Sequence, residues 1–193
     1  MTTIPLFTLP SPDPDPVIAA HPVGTVIETA RGRYGLATAT YDETSKYRYR
    51  LSRVWDDTLP RCVFVMLNPS TATAQVLDPT VTRCVSYAKR WGYGALEVVN
   101  IFAYRSTDPA HLYLLDDPVG PGNDEAIVAA SSASSLTVAA WGTHAALHSR
   151  GLVVRGLLAA ANCPLHYLRL TKDLHPGHPL YVSSLTTPIP WPR

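Results

Sequence analysis

The chain has 193 residues, of which 46% are hydrophobic and 16% are charged, and this composition is typical of a single globular domain. The formal net charge of +1 does not indicate a nucleic-acid or membrane partner, so any such partner must bind a local patch. The three cysteines are too few for a four-cysteine metal cluster, and their apolar neighbours are typical of reduced thiols. The sequence has no apolar stretch of membrane-spanning length and no signal-peptide pattern. We therefore expect a cytoplasmic monomer that needs no metal or cofactor.

The N-terminal part of the chain is rich in proline and is followed by a strand-like region. Six of the 18 prolines fall within residues 1–22, which predicts an irregular arm before a single domain over residues 23–193. Residues 26–53 have the composition of β-strands, with a turn predicted at residues 42–43. This region predicts an N-terminal β extension.

Three cations alternate with apolar residues inside this region. Because side chains of a strand alternate between its two faces, Lys46, Arg48 and Arg50 are predicted to share one face. Two interpretations stay open: a solvated strand face, or a ridge that contacts the phosphates of a nucleic acid.

A second feature is the polar turn that follows the apolar run at residues 61–67. That run predicts a buried strand, and Asn68-Pro69-Ser70 comes directly after it. In open parallel sheets ligands bind at the carboxyl ends of the strands, so this turn is a candidate site. Similar polar ends follow three further predicted strands, over residues 96–101, 136–141 and 165–170.

Helical patterns separate these strands. Asp78 is predicted to cap a helix that has proline at its first position, and Asn123 or Asp124 is predicted to cap another. A short helix near residues 110–115 and a long one over 143–160 complete the set. Strands that alternate with helices predict a three-layer α/β/α fold around a four-stranded parallel sheet.

Several short motifs along the chain carry a resemblance to a known family. They lie at residues 48–55, 67–72, 78–80, 90–94, 99–105, 141–142 and 178–181. Together they resemble the bacterial DUF1643 family over about residues 26–185. The family name implies no function.

The strand ends carry a fainter resemblance. Residues 67–70 read Leu-Asn-Pro-Ser, residues 100–109 run from an asparagine through an arginine to a proline, residues 141–142 end the third strand in glycine, and residues 178–180 read His-Pro-Leu. In order and spacing these motifs are similar to those of the uracil-DNA glycosylase superfamily, although Ser70 replaces the motif glycine. The resemblance implies a four-stranded parallel sheet and an enzyme that flips a base out of DNA and hydrolyses its N-glycosidic bond.

The resemblance also implies roles for individual residues. Asn68 would hold the attacking water, and His178 would donate a hydrogen bond to the departing base. Asp78 is the nearest carboxylate in sequence that can assist as a base. The structural alternatives are a turn residue for Asn68, a helix cap for Asp78 and a packing residue for His178, with His175 as a rival because it also precedes a proline.

The small residues after Asn68-Pro69 bear on which base is recognised. In the uracil-specific branch an aromatic residue at this place excludes a substituent at C5 of the pyrimidine, whereas Ser70 and Thr71 leave room there. We therefore expect a 5-substituted pyrimidine, such as a glucosylated hydroxymethylcytosine of phage DNA, which implies antiviral defence. The alternative is that an aromatic from elsewhere closes the pocket. The candidate base-binding residues are Ser70, Thr71, Asn100, Phe102, Trp141 and His175.

The expected partner is double-stranded DNA. The candidate DNA-contacting residues combine cations with two residues that can wedge into the base stack, namely Lys46, Arg48, Arg50, Arg105, Lys172, Leu180 and Tyr181. Two other functions stay open: a nucleic-acid-binding module without catalysis, and a hydrolase of free modified nucleotides.

Overall fold

The computed structural model describes residues 25–192, so the predicted proline-rich arm at residues 1–22 lies outside the described residues. The strands are β1 (Thr25–Gly32), β2 (Gly35–Asp42), β3 (Arg48–Val54), β4 (Arg61–Met66), β5 (Ala95–Asn100), β6 (Leu136–Ala139), β7 (Leu165–Tyr167) and β8 (Ile189–Pro190). The α-helices are α1 (Pro79–Arg90), α2 (Asn123–Ser132) and α3 (Arg150–Ala160). Short 3-10 helices span Pro109–Leu114, Thr143–Ser149 and Pro179–Tyr181.

All eight strands belong to one mixed sheet in the order β1-β2-β3-β5-β4-β6-β7-β8. β4 pairs in parallel with β5 and β6, and β6 pairs in parallel with β7. The other four neighbouring pairs are antiparallel. The fold is therefore mixed α/β. The parallel strands β5, β4, β6 and β7 lie inside a larger mixed sheet, because the N-terminal strands join it through the antiparallel pair β3–β5, so the predicted four-stranded parallel sheet is not confirmed as such.

The N-terminal region forms three strands where two were predicted. Residues 26–53 contain the expected turn after Asp42 and also a hairpin between Gly32 and Gly35. Gly35 has φ +82°, and a Cβ there would lie 1.9 Å from the carbonyl oxygen of Val54. The tight turn therefore requires glycine at this position.

Helices cover both faces of the sheet, and the alternation of side chains along β4 divides the core into two clusters. Phe64 packs on one face with Tyr87 of α1. Val65 packs on the other face with Ile127 of α2 and Leu158 of α3. Every one of these five side chains is at most 1% exposed, so the sheet is buried on both sides.

The helix boundaries confirm one predicted cap and correct two other predictions. Asp78 caps α1 by accepting a 2.7 Å hydrogen bond from the backbone N–H of Val81. α2 is instead capped by Gly122, with φ +73° and no side-chain cap, so the predicted caps Asn123 and Asp124 lie inside the helix. The long helix predicted over residues 143–160 is interrupted, because His148 adopts a positive φ and α3 begins only afterwards.

None of the helices within residues 25–192 is both long and apolar enough to cross a membrane.

Candidate active site

A small cleft opens where β4 and β5 end, and it brings together the three residues predicted to be catalytic. Its volume is about 180 Å³. The polar side chains in its lining include Arg48, Asn68, Ser70, Asp78, Asn100 and His178. Met66, Val81 and Val98 form apolar parts of its wall. Four segments that are distant in sequence therefore supply the polar groups of one cleft.

The side chain of Asn68 is held in one orientation. Its amide nitrogen donates hydrogen bonds to the carbonyl oxygens of Ser106, at 2.8 Å, and Pro69, at 3.1 Å. Only the NH₂ group of an asparagine can donate to a carbonyl oxygen. These two contacts therefore fix which side-chain atom is the nitrogen and which is the oxygen, Oδ1. Oδ1 accepts no hydrogen bond from the described residues and can accept one from a water or ligand.

Asp78 combines a structural role with a place in the cleft lining. One carboxylate oxygen, Oδ1, caps α1, and the other has no hydrogen-bond partner within residues 25–192. Its negative charge acts on two neighbouring groups, since it raises the pKa of both Arg48 and His178 against the effect of their burial. The cap interpretation is confirmed, and the carboxylate still faces the cleft.

His178 is held as a neutral hydrogen-bond donor. Its Nδ1 accepts a 3.4 Å hydrogen bond from the backbone N–H of Leu180, which assigns the proton of the neutral ring to Nε2. Burial lowers the pKa of His178 below its ordinary value, and the charge of Asp78 opposes this effect. The ring is therefore uncharged at neutral pH and can donate from Nε2.

Arg48 and Asn100, two strand residues that line the cleft, each carry a buried polar atom without a partner within residues 25–192. Each residue is at most 2% exposed. The Oδ1 atom of Asn100 and the Nε atom of Arg48 are both buried without a hydrogen-bond partner among the described residues. Buried polar atoms are nearly always paired, so two orphans in one cleft indicate a place for a ligand.

The predicted ridge of three cations is not formed. Lys46 is exposed and precedes β3, whereas Arg48 and Arg50 are buried. Arg48 donates to the carbonyl oxygen of Ala72, and Arg50 pairs with Glu97. The predicted alternation is broken, because the pairing of β2 and β3 shifts by one residue: Arg48 lies opposite Tyr41 and Arg50 opposite Thr40, on opposite faces of the sheet. The loop after β4 covers Arg48, and Glu97 pairs with Arg50, so both arginines are removed from solvent.

Four of the predicted base-binding residues do not line the cleft, and three of them, Phe102, Trp141 and His175, lie elsewhere in the fold. Trp141 and His175 line a separate cavity of about 480 Å³, and Trp141 packs in the cluster on the α3 side of the sheet. Phe102 is fully buried in that same cluster. Trp141 was predicted to bind the base together with Asn100, and it does not reach the cleft that Asn68, Asn100 and His178 share. Phe102 and Trp141, which follow β5 and β6, pack on the face of the sheet opposite α1.

An open, polar groove of about 460 Å³ adjoins the cleft, and the two share Ser70, Ser106 and Thr107. Its remaining lining includes Thr71 and the cations Lys46 and Arg105. Thr71 therefore lies beside the cleft and does not line it. Sequence reasoning missed Ser106 and Thr107, although the loop after β5 was recognised as part of the motif.

The remaining DNA-contacting candidates lie around the last 3-10 helix. Tyr181 is 75% exposed, and its ring centre lies 5.6 Å from that of His178. Leu180 is half-buried beside it, and Lys172 is exposed on the loop after β7 but lines neither the cleft nor the groove.

No group of three or more His, Cys, Asp or Glu side chains within residues 25–192 is arranged to hold a metal ion. No curated protein and no solved structure matches the chain. A family model described as a protein of unknown function (DUF1643) matches residues 48–180, which is more than half of the chain. That range contains all the polar cleft residues named above, and the chain therefore belongs to the DUF1643 family.

Proposed function

We propose that this protein is a DNA glycosylase that flips a modified pyrimidine out of DNA and hydrolyses its N-glycosidic bond. The observation that carries the proposal is the single cleft that holds Asn68, Asp78 and His178 with complementary free groups. Asn68 and Asp78 offer acceptor oxygens, and His178 offers a neutral N–H donor. Fainter support comes from the similarity of the strand-end motifs to those of the uracil-DNA glycosylase superfamily, in which a parallel sheet carries the site.

The free groups match the charge changes of the reaction. As the bond between C1′ and the base nitrogen breaks, positive charge develops on the sugar and the electron pair leaves with the base. Asn68 Oδ1 positions a water for attack on C1′, and the Asp78 carboxylate accepts a proton from that water. His178 donates from Nε2 to the departing base and stabilises its negative charge.

The surroundings of the cleft fit a polymeric substrate. A base inside a duplex must leave the stack before it can enter a cleft of this size. Lys46 and Arg105 border the open groove beside the cleft, where they can bind the phosphates that flank the flipped nucleotide. Exposed Tyr181 and half-buried Leu180 lie next to His178 and can fill the space that the base vacates.

The cleft favours a base with a substituent at C5. Among the described residues that line it, no Phe, Tyr or Trp occurs, and Ser70 lies between the cleft and the groove. A substituent on the base can therefore extend past Ser70 toward Thr71. We propose a hypermodified pyrimidine such as the glucosylated hydroxymethylcytosine of phage DNA, and hence a role in antiviral defence.

The test is incubation of the full chain with duplexes that carry uracil, thymine, 5-hydroxymethylcytosine or glucosylated 5-hydroxymethylcytosine. Abasic sites are scored by alkaline strand cleavage, and the released base is identified by mass spectrometry. Release of a 5-substituted base is the expected result. Efficient release of uracil with no release of any 5-substituted base would contradict the proposed base.

A second function, hydrolysis of free modified nucleotides, is favoured by the small cleft and the net charge of +1. The same bases supplied as mononucleotides separate the two functions, because a DNA glycosylase releases base from the duplex far faster. Binding of duplex without base release from any substrate would instead support a non-catalytic binding module.

A further inference from the structure

Arg48 is the most unusual group in the cleft. Its side chain lines the cleft and is 2% exposed. One guanidinium nitrogen donates to the carbonyl oxygen of Ala72, but Nε is buried with no partner, and no carboxylate within residues 25–192 lies at ion-pair distance. Burial lowers the pKa of Arg48 to about 10, against the opposing charges of Tyr41 and Asp78, so the guanidinium is still charged at neutral pH.

A buried cation without a close counterion is unfavourable unless a ligand supplies the missing negative charge. Taking a charged group out of water is costly, and natural proteins recover this cost by pairing the charge. Arg48 Nε has no such partner among the described residues. The geometry therefore indicates that negative charge enters the cleft during function.

The size and lining of the cleft indicate which part of a nucleic acid brings that charge. A phosphodiester is linked to the chain on both sides and needs an open groove, which the adjacent surface with Lys46 and Arg105 provides. The cleft itself holds about 180 Å³ and is walled partly by Met66 and Val98. Apolar walls and a small volume suit a flat base, which becomes anionic only as its glycosidic bond breaks.

We propose that Arg48 is a catalytic donor that stabilises the negative charge on the departing base, with Asn100 holding the base through its unpaired Oδ1. The inference rests on the proposed glycosylase function and deepens it. The electron pair of the C1′–N bond passes to the base and is delocalised over its oxygen and nitrogen atoms. Arg48 donates a hydrogen bond from Nε–H to this anion and transfers no proton. The oxygen of the attacking water bonds to C1′, and the proton of that water passes to Asp78.

Arg53 supplies a matched control. It lies on the same strand, is 3% exposed, and donates to the carbonyl oxygen of Thr73 as Arg48 donates to that of Ala72. Arg53 does not line the cleft. The variants Arg48→Met and Arg53→Met therefore each remove a buried hydrogen bond to the loop after β4. Only Arg48→Met also removes a hydrogen-bond donor from the cleft lining.

The experiment measures single-turnover base release from duplexes that carry a series of 5-substituted pyrimidines of increasing leaving-group acidity. We expect Arg48→Met to lower the rate by about 10²- to 10³-fold, as for the loss of one preorganised donor. The loss should be largest for the least acidic base, so the dependence of the rate on leaving-group acidity becomes steeper. Arg48→Lys should recover part of the rate, and duplex affinity should change by less than about 3-fold in both variants, since phosphate contacts are unaffected. Far-ultraviolet circular dichroism and urea unfolding establish that each variant is folded.

Four outcomes would overturn the inference. Equal losses in Arg48→Met and Arg53→Met would indicate a scaffold for the loop after β4. Weaker duplex binding with a reduced salt dependence and an unchanged chemical step would indicate a phosphate contact. An active wild type whose rate is lowered equally for all bases by Arg48→Met would leave the glycosylase function standing and remove the leaving-group role. A wild type that releases no base from any duplex or nucleotide would defeat both proposals together.

Discussion

Replacement of Asn68 by alanine is the most direct test of the candidate site. The side chain makes hydrogen bonds to the carbonyl oxygens of Ser106 and Pro69 and offers Oδ1 to the cleft. Each neutral hydrogen bond contributes about 1 kcal/mol, so the variant should lose about 1–2 kcal/mol of unfolding free energy. A protein of ordinary stability tolerates this loss, and the variant should stay folded.

The expected loss of activity is much larger than the loss of stability. Removal of the group that positions the water should lower base release by about 10²- to 10³-fold, which corresponds to about 3–4 kcal/mol of transition-state stabilisation. The assay is single-turnover formation of abasic sites with protein in excess, run beside urea unfolding of the same preparation. Asn162→Gly, at an exposed position after α3 with φ +56°, is a control asparagine that should retain full activity.

Base release by Asn68→Ala at more than about a third of the wild-type rate would refute the positioning role, because loss of a catalytic group of this kind costs at least tenfold. A loss of activity that follows the unfolded fraction in urea would also refute the positioning role, since the Asn68 amide would then act only by holding two loops together.

Three further predictions concern other residues. Because the pKa of His178 is lowered on folding, the unfolded state binds the proton more readily than the folded state. The unfolding free energy should therefore fall as the pH falls from 6.5 toward the folded pKa. His178→Gln should flatten this pH dependence in urea titrations. Ser70→Phe should lower the rate for a bulky 5-substituted pyrimidine by about 10- to 200-fold more than for uracil, measured on paired duplexes, because the ring fills the space at C5. Gly35→Ala should cost more than about 2 kcal/mol of unfolding free energy, since its Cβ would meet the carbonyl oxygen of Val54, whereas Gly32→Ala has nothing within 4 Å and should cost less than about 1 kcal/mol.

Local signals in the sequence predicted the parts of the fold that depend on neighbouring residues. The Asp78-Pro79 pair marks the start of α1, because an aspartate cap and a proline at the first helical position act within one turn. The apolar runs likewise located β4 and β5, and thus the strand ends that bring Asn68 and Asn100 to one cleft. The break before α3 had no such signal, since His148 and Ser149 adopt positive φ without being glycine.

Non-local contacts explain the predictions that failed. Regular alternation predicted that Arg48 and Arg50 share a face, but a one-residue shift in the pairing of β2 and β3 places them on opposite faces. The burial of Arg48 depends on the loop after β4, whose carbonyl oxygens accept hydrogen bonds from Arg48 and Arg53. Trp141 follows a strand end as Asn68 does, yet it packs on the opposite face of the sheet. A pattern of strand ends predicts the edge of a sheet at which a side chain lies, and the face is decided by packing that the local pattern does not contain.

The burial of Arg48 reduces the number of cations that can contact phosphates at the surface. A net charge of +1 is small for the DNA-binding function that we propose, and two of the three cations of the predicted ridge, Arg48 and Arg50, are removed from solvent. What remains at the surface of the groove is a small number of cations, including Lys46 and Arg105, so binding should depend on salt through only a few phosphate contacts. Under the proposed function, selectivity comes from the cleft, where we propose that the buried guanidinium of Arg48 and the unpaired amide oxygen of Asn100 bind the base. With few cations at the groove and the selective groups in the cleft, we expect weak binding along DNA and discrimination between bases at the step in which the base is extruded.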